Sequence, residues 1–242
     1  MKIALTLSGQ PRRYQLGFKQ LKKWFLDRYD IDVYLHSWID EEVYKYHYDE
    51  TQRHYKIEES TYNNLLELYQ PKSYLFEEPL NFDGSNFLNY QRLNSQMGMF
   101  MSLNRAWELL EDSGIQYNYV IRARYDLFFD YFTRLDNPLI NDISNLDPNI
   151  VHYPRRHTDT DSFRSINDIF AIGGYEVMKT YHNIFPNIIN YLFLDKEYDQ
   201  HHGEDKYFNE ALLFWHLKKN NIPSISHPEY KPLNIDGIKI LR

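Results

Sequence analysis

The stretch that most constrains this chain is Tyr119-Val120-Ile121-Arg122-Ala123-Arg124-Tyr125-Asp126-Leu127-Phe128-Phe129-Asp130. Its β-branched and aromatic residues suit a buried strand that runs out into a polar end. In an extended chain alternate residues share a face, so Arg122, Arg124 and Asp126 point the same way. Two guanidinium groups and a carboxylate on one face of a core strand are costly unless they meet a ligand, a metal or each other. Two readings follow. One is an internal Arg–Asp ion pair at a strand end. The other is an anion-binding site with a metal-ligating acid.

The chain ahead of this stretch supplies a setting for it. Ile3-Ala4-Leu5-Thr6-Leu7 is a short apolar run fit for a central strand, and it breaks at Ser8-Gly9-Gln10-Pro11-Arg12-Arg13. From Gly17 to Arg28 the residues Phe18, Leu21, Trp24 and Phe25 recur at helical spacing. Asp32-Val33-Tyr34-Leu35-His36-Ser37-Trp38 is a second strand with a polar tip. Strand, loop, helix, strand opens a doubly wound α/β sheet, whose ligands sit beyond the carboxyl ends of the strands. Ser8 to Arg13 and His36 to Trp38 then share one rim. The G-x-G-x-x-G dinucleotide fingerprint is absent. The Gly-Gln-Pro-Arg-Arg turn reads either as Arg-to-phosphate contact or as a solvated turn.

Further along, Tyr62, Leu65, Leu66 and Tyr69 predict a helix ended by Pro71, and Lys72 to Phe76 a third strand. Leu93, Met97, Phe100, Leu103, Trp107 and Leu110 predict the longest helix, stopped by Ser113-Gly114, with Gln96 and Arg105 off its apolar stripe. Short strands are predicted at Ile150 to Tyr153 and from Asn167 to Gly174. Helical patches follow around Val177 to Tyr181 and Ile184 to Leu192, separated by Pro186. His201-His202-Gly203-Glu204-Asp205 reads as the opening of a helix with Phe208, Ala211, Leu212 and Trp215 inside, followed by a strand at Ile222 to Ile225. Acids in its first turn and lysines in its last suit the helix dipole, which explains Glu204 and Asp205 without catalysis. Asp40 to Glu59 reads as a loop, and Pro154 to Ile166 as a mobile loop over a site. His36, His47 and His54 read as surface histidines rather than a metal site. With no repeat and no linker, the expectation is one domain.

Composition excludes several classes. The net charge of -7 argues against a nucleic-acid binder, whose affinity comes from a basic surface. With no Cys, thiolate catalysis, disulfides and Cys-based zinc sites are excluded. No apolar run is long enough for a membrane span, and the N-terminus turns polar too soon for a signal peptide, so a soluble cytoplasmic protein is the expectation. The 22 Tyr of 242 residues suit a folded chain with wet clefts, because each ring needs a place for its hydroxyl.

Taken together, Leu7-Ser8-Gly9-Gln10-Pro11-Arg12, the His36-Ser37-Trp38 strand end and Val120-Ile121-Arg122-Ala123-Arg124-Tyr125-Asp126-Leu127 resemble small nucleotide-sugar-dependent glycosyltransferases of the GT-A fold, as found in capsular and lipopolysaccharide gene sets and in large viruses. The resemblance implies a Rossmann-like α/β fold with a mostly parallel central sheet and helices on both faces. A nucleotide-sugar donor would bind in about the first 130 residues, and a glycan or glycoconjugate acceptor in about 131–242. By position, Ser8, Gly9, Gln10 and Arg12 look like the nucleotide loop, and His36 and Trp38 like neighbours of the base or ribose. Gln96, Arg122 and Arg124 join the donor site. Asp126 looks like the acid that holds a divalent metal (Mn²⁺ or Mg²⁺). Glu204-Asp205 looks like the acidic pair that carries the base of an inverting transfer. Where such enzymes have two acids spaced by one residue, this chain has Arg124-Tyr125-Asp126, so the arginines can take part of the metal's role. A binding module without turnover and a sugar nucleotidyltransferase are the competing readings.

Overall fold

A computed structural model describes residues 1–39, 60–82, 90–129, 141–154, 166–202, 207–227 and 238–240. In order they form β1 (Ile3–Gly9), α1 (Tyr14–Leu21), β2 (Ile31–Trp38), α2 (Ser60–Tyr69), β3 (Ser73–Glu77), α3 (Tyr90–Glu111), β4 (Tyr119–Ala123) and β5 (Leu127–Phe129). Then come β6 (Val151–Pro154), β7 (Phe170–Gly173), α4 (Tyr175–His182), α5 (Ile188–Phe193), α6 (Lys196–His202), α7 (Asn209–Lys219), β8 (Ser224–His227) and β9 (Ile238–Ile240). The main sheet has the order β3-β2-β1-β4-β7-β6-β8. β3, β2, β1 and β4 pair in parallel, and β7 alone runs against its neighbours β4 and β6. The expected mostly parallel α/β sheet with helices on both faces is therefore the fold. No described helix is long and apolar enough to cross a membrane.

Strand alternation divides the interior in two. Ile3, Leu5, Leu7, Val33, Leu35, Tyr119, Ile121 and Ala123 pack against Leu21 and Phe25 and against Leu65 and Tyr69 of α2. Ala4, Tyr34 and Val120 face the other way, into a core built from α3, α4 and α7 around Trp107 and Trp215. Each large apolar side chain enclosed in these layers contributes about 1.5–3 kcal/mol. Along the second face the chemistry changes abruptly. Continuing toward the carboxyl ends, Ala4 gives way to Thr6 and Ser8, Tyr34 to His36, and Val120 to Arg122, all of them buried.

The strand predicted over 119–130 is not continuous. β4 ends at Ala123, a turn follows, and β5 leaves the main sheet to pair antiparallel with β9. Two local contacts set the break. Arg124 folds its side chain onto Asp126 two residues on. The carbonyl of Tyr125 lies against Gly17 of α1, where a Cβ would stand 1.8 Å from that oxygen. The helix start expected at His201 to Asp205 also differs. His201 and His202 close α6, and α7 begins at Asn209 after an extended Phe208. Glu204, Asp205, the Pro154-proximal loop at 155–165, and His47 and His54 lie outside the described residues. His36, expected at the surface, is wholly buried. Pro186 sits in a 3-10 turn between α4 and α5.

Enclosure leaves three imidazoles far below their ordinary range. Burial pushes His182 down to about 3, and His36 and His216 down to about 4. Their neutral forms are the native ones. An unfolded chain takes up these protons near pH 6.5, whereas the folded chain resists down to about 4, so stability is lost as pH falls through that window. Each such group removes about 1.4 kcal/mol per pH unit within it. We therefore expect the unfolding temperature, followed by calorimetry from pH 7.5 to 4.5, to fall steeply below about pH 6.5. A flat profile over that range contradicts the buried neutral imidazoles.

Candidate functional site

The parallel pairing of β1 with β2 and β4 brings their carboxyl ends to one rim. Ser8 lies opposite His36, and Thr6 lies between Tyr34 and Arg122. The expected nucleotide loop leaves β1 at Gly9, whose φ of +110° is open to glycine. Arg12 donates from Nε to the Gln10 side-chain oxygen at 2.9 Å, with a second bond from Nη2, so loop and cation brace each other. Arg13, also at positive φ, leads into α1.

A chain of hydrogen bonds ties this loop to the layer beneath it. The Gly9 N–H donates to Ser102 Oγ of α3 at 2.7 Å. Ser102 Oγ is 2.7 Å from His36 Nδ1, and His36 Nε2 is 3.1 Å from Glu77 Oε1 at the end of β3. The neutral imidazole has one proton, and the Glu77 oxygen accepts it at Nε2. Nδ1 therefore accepts from the Ser102 hydroxyl. Arg105, off the apolar stripe of α3, donates from Nε to Glu77 at 3.3 Å. Trp38 packs edge-on to His36 and donates from its indole to Gly98 O of α3 at 3.2 Å. His36 and Trp38 thus hold the rim to α3 from inside.

The arginines occupy two depths. Arg124 meets Asp126 in a bidentate pair, Nε to Oδ1 and Nη2 to Oδ2, both 2.9 Å. The Asp126 side chain is fully enclosed, and Arg124 is 18% exposed. Both Asp126 oxygens are thus engaged, and a metal there would share them with Arg124 or displace it. Among the described residues no group of three or more His, Asp or Glu is placed to hold a metal ion. Two residues further in, on β4, Arg122 is 1% exposed. Burial works against its charge, while Tyr181 and Asp168 support it and Arg124 opposes it.

Several functional candidates were not singled out from sequence. Asp168, 5% exposed, stands just before β7 and thus at the same rim, because β7 runs antiparallel to β4. Its Oδ2 accepts from Asn209 Nδ2 at 3.4 Å. The Ile166 N–H donates to Glu210 O, which docks the first turn of α7 beside this segment. Gln96, which the sequence did place in the donor site, is 3% exposed and donates to Tyr207 O at 2.5 Å. The polar pair Asn167-Asp168 at the entry of an apolar strand was the sequence signal for Asp168. Ser102, between Met101 and Leu103 on a Met-rich helix, carried none.

No family model matches the chain, and no curated protein matches it. Among solved structures, a nucleoside-diphosphate-sugar pyrophosphorylase from Vibrio cholerae RC9 is similar over 98% of this chain and 93% of its own, at 10% identity and a TM-score of 0.43. The glycosyltransferase GlyE of Streptococcus pneumoniae TIGR4 is similar over 93% of this chain and 46% of its own, at 12% identity and 0.44. A glycosyltransferase involved in glycosylation of the major capsid of PBCV-1 is similar over 94% and 82%, at 12% identity and 0.39. These are likenesses of chain path.

Replacing Ser102 by Ala removes the acceptor of the Gly9 N–H and the donor to His36 together. We expect a loss of about 1–3 kcal/mol in urea unfolding. In amide exchange the Gly9 N–H should lose protection relative to the rest of β1. Unchanged protection at Gly9 contradicts the Ser102 link.

Proposed function

We propose that this chain is a GT-A-like glycosyltransferase that moves a sugar from a nucleotide-sugar donor to a hydroxyl of a glycan or glycoconjugate acceptor, with inversion at the anomeric carbon. The observation that carries this reading is the gathering, at the carboxyl ends of β1, β2 and β4, of a braced Gly9–Arg12 loop and two arginines at different depths. Leaving nucleoside diphosphate needs positive charge that is fixed before the bond breaks. Arg124 and Arg12 supply it at the rim, and Arg122 adds a fixed positive field behind them without touching the diphosphate. Arg124 then exchanges its bond with Asp126 for one with the diphosphate. Asp126, released in that exchange, is the residue that would hold Mn²⁺ or Mg²⁺, whose chemistry would be charge neutralisation at the same oxygens.

A carboxylate must take the proton from the acceptor hydroxyl. Asp205, with Glu204 beside it, is the proposed base. Asp168 is a second carboxylate on the same rim, where it accepts a hydrogen bond from Asn209. Transfer also requires that water be kept from the donor, and the enclosed layer under α3 serves that end.

The test is incubation with a panel of nucleotide sugars, with Mn²⁺ or with EDTA. We expect slow release of nucleoside diphosphate. Asp205→Asn should lower transfer by about 10²–10⁴-fold while donor binding survives. Turnover within a few-fold of the parent removes Asp205 from the role. Exchange of pyrophosphate in place of diphosphate release identifies a nucleotidyltransferase, and donor binding with no release identifies a binding module.

A further inference from the structure

Among the described residues, six enclosed polar atoms without a hydrogen-bond partner fall in one region: Ser8 Oγ, Gln96 Oε1, Arg122 Nε and Nη1, Tyr181 OH and Asn209 Oδ1. Native interiors leave few such atoms, and each one costs its full desolvation. A relay of contacts connects these six. Tyr181 and Asp168 both act electrostatically on Arg122. Asn209 reaches Asp168 at 3.4 Å and Met99 Sδ at 3.1 Å. Gln96 lies one turn before Met99 on α3, and Ser102, which holds Gly9 beside Ser8, one turn after it. Ser8, Gln96, Arg122 and Tyr181 are each at least nine-tenths buried.

The kinds of atom matter as much as their number. Arg122 offers N–H donors that carry charge. Gln96 and Asn209 offer amide oxygens, which only accept. Ser8 and Tyr181 do either. A diphosphate satisfies the guanidinium and leaves the amide oxygens empty, because it has only acceptors. A neutral sugar satisfies the amide oxygens with its hydroxyls but gives the guanidinium no charged partner, and charge-assisted bonds are about twice as strong as neutral ones. A sugar that carries both hydroxyls and a carboxylate satisfies the whole set. Asp126 and Asp168 act on Arg122 only through their charge, since neither Nε nor Nη1 of Arg122 has a hydrogen-bond partner.

We infer that the region between β1, β4, α3, α4 and α7 is a subsite for an acidic sugar, with Arg122 on the carboxylate and Gln96 and Asn209 on ring hydroxyls. The donor is then a nucleotide-linked hexuronic acid or a sugar of the same chemistry. This rests on the reading that the donor occupies this rim. Arg122 lies two residues before Arg124 and is 1% exposed against 18%, so the sugar is held deeper than the diphosphate.

The test is calorimetric titration of the full chain with UDP, UDP-glucose and UDP-glucuronate, and separately with free glucose and free glucuronate. The expected result is a Kd for UDP-glucuronate at least about tenfold below that for UDP-glucose, narrowed to within about twofold in Arg122→Met. Equal affinity of the parent chain for the two donors overturns the subsite, and this arm needs no variant to fold. A loss in Arg122→Met that is as large for UDP as for UDP-glucuronate also overturns it, because Arg122 then holds the diphosphate. If no uridine nucleotide binds, free glucuronate decides: preference over glucose keeps the subsite while the donor reading fails, and equal or absent binding leaves the six atoms to ordered water.

Discussion

The constraint on which the rest depends is that one face of a buried sheet turns polar within three residues of its carboxyl edge. Thr6, Ser8, His36 and Arg122 stand where an apolar layer would be expected, and all are enclosed. A buried polar atom must be bonded or it costs the fold. The covering helices answer this need. α3 supplies Ser102 to Gly9 and His36. α4 supplies His182, which stands 2.9 Å from Thr6 Oγ1 and 2.6 Å from Met178 O. His182 remains neutral beside Arg122 because burial and that neighbouring charge both oppose its protonation. A polar rim therefore dictates which residues a nominally apolar helix has to carry.

The Arg124–Asp126 pair has a structural and a chemical side. Its bidentate geometry ends β4 and turns the chain toward β5, and the close pass over Gly17 fixes where the turn lies. A buried ion pair gives little net stability, since desolvation offsets the attraction, but removal of one partner leaves an isolated charge and is strongly destabilising. Such a pair persists where its charges have another use. Arg124 is partly open while Asp126 is closed, so an incoming anion meets the guanidinium first. The structure shows the ion-pair reading of this stretch, and under the proposed function the anion-site reading is a second state of the same residues.

What was legible in the sequence follows from range. The central strands are continuous apolar runs, and the helix from Leu93 to Leu110 repeats at three and four, so local pattern sufficed. The convergence of Ser8 to Arg13, His36 and Arg122 on one edge followed from parallel topology alone. The break after Ala123 was not legible, because it depends on a contact with Gly17 more than a hundred residues away and on β9 near the end of the chain. The start of α7 was misplaced because charges near Gly203 imitate a first turn, while the helix begins at Asn209. His36 resembled a surface histidine for want of its partners. Ser102 and Glu77 lie 66 and 41 residues from it.

The two depths of positive charge bear on how such a site discriminates. A rim cation in contact with water exchanges partners cheaply and suits a group that arrives and leaves. Arg122, enclosed and opposed by burial, has no such freedom. Its orientation is set by the fold before any ligand arrives, and a preorganised charge in a dry layer acts far more strongly than one in water. The stability given up by leaving its N–H groups without partners is therefore recoverable only by a ligand whose acceptors sit at that depth. Under the proposed transfer, selectivity at this rim comes from what lies under α3, and release of the leaving group from what lies in the open at Arg124.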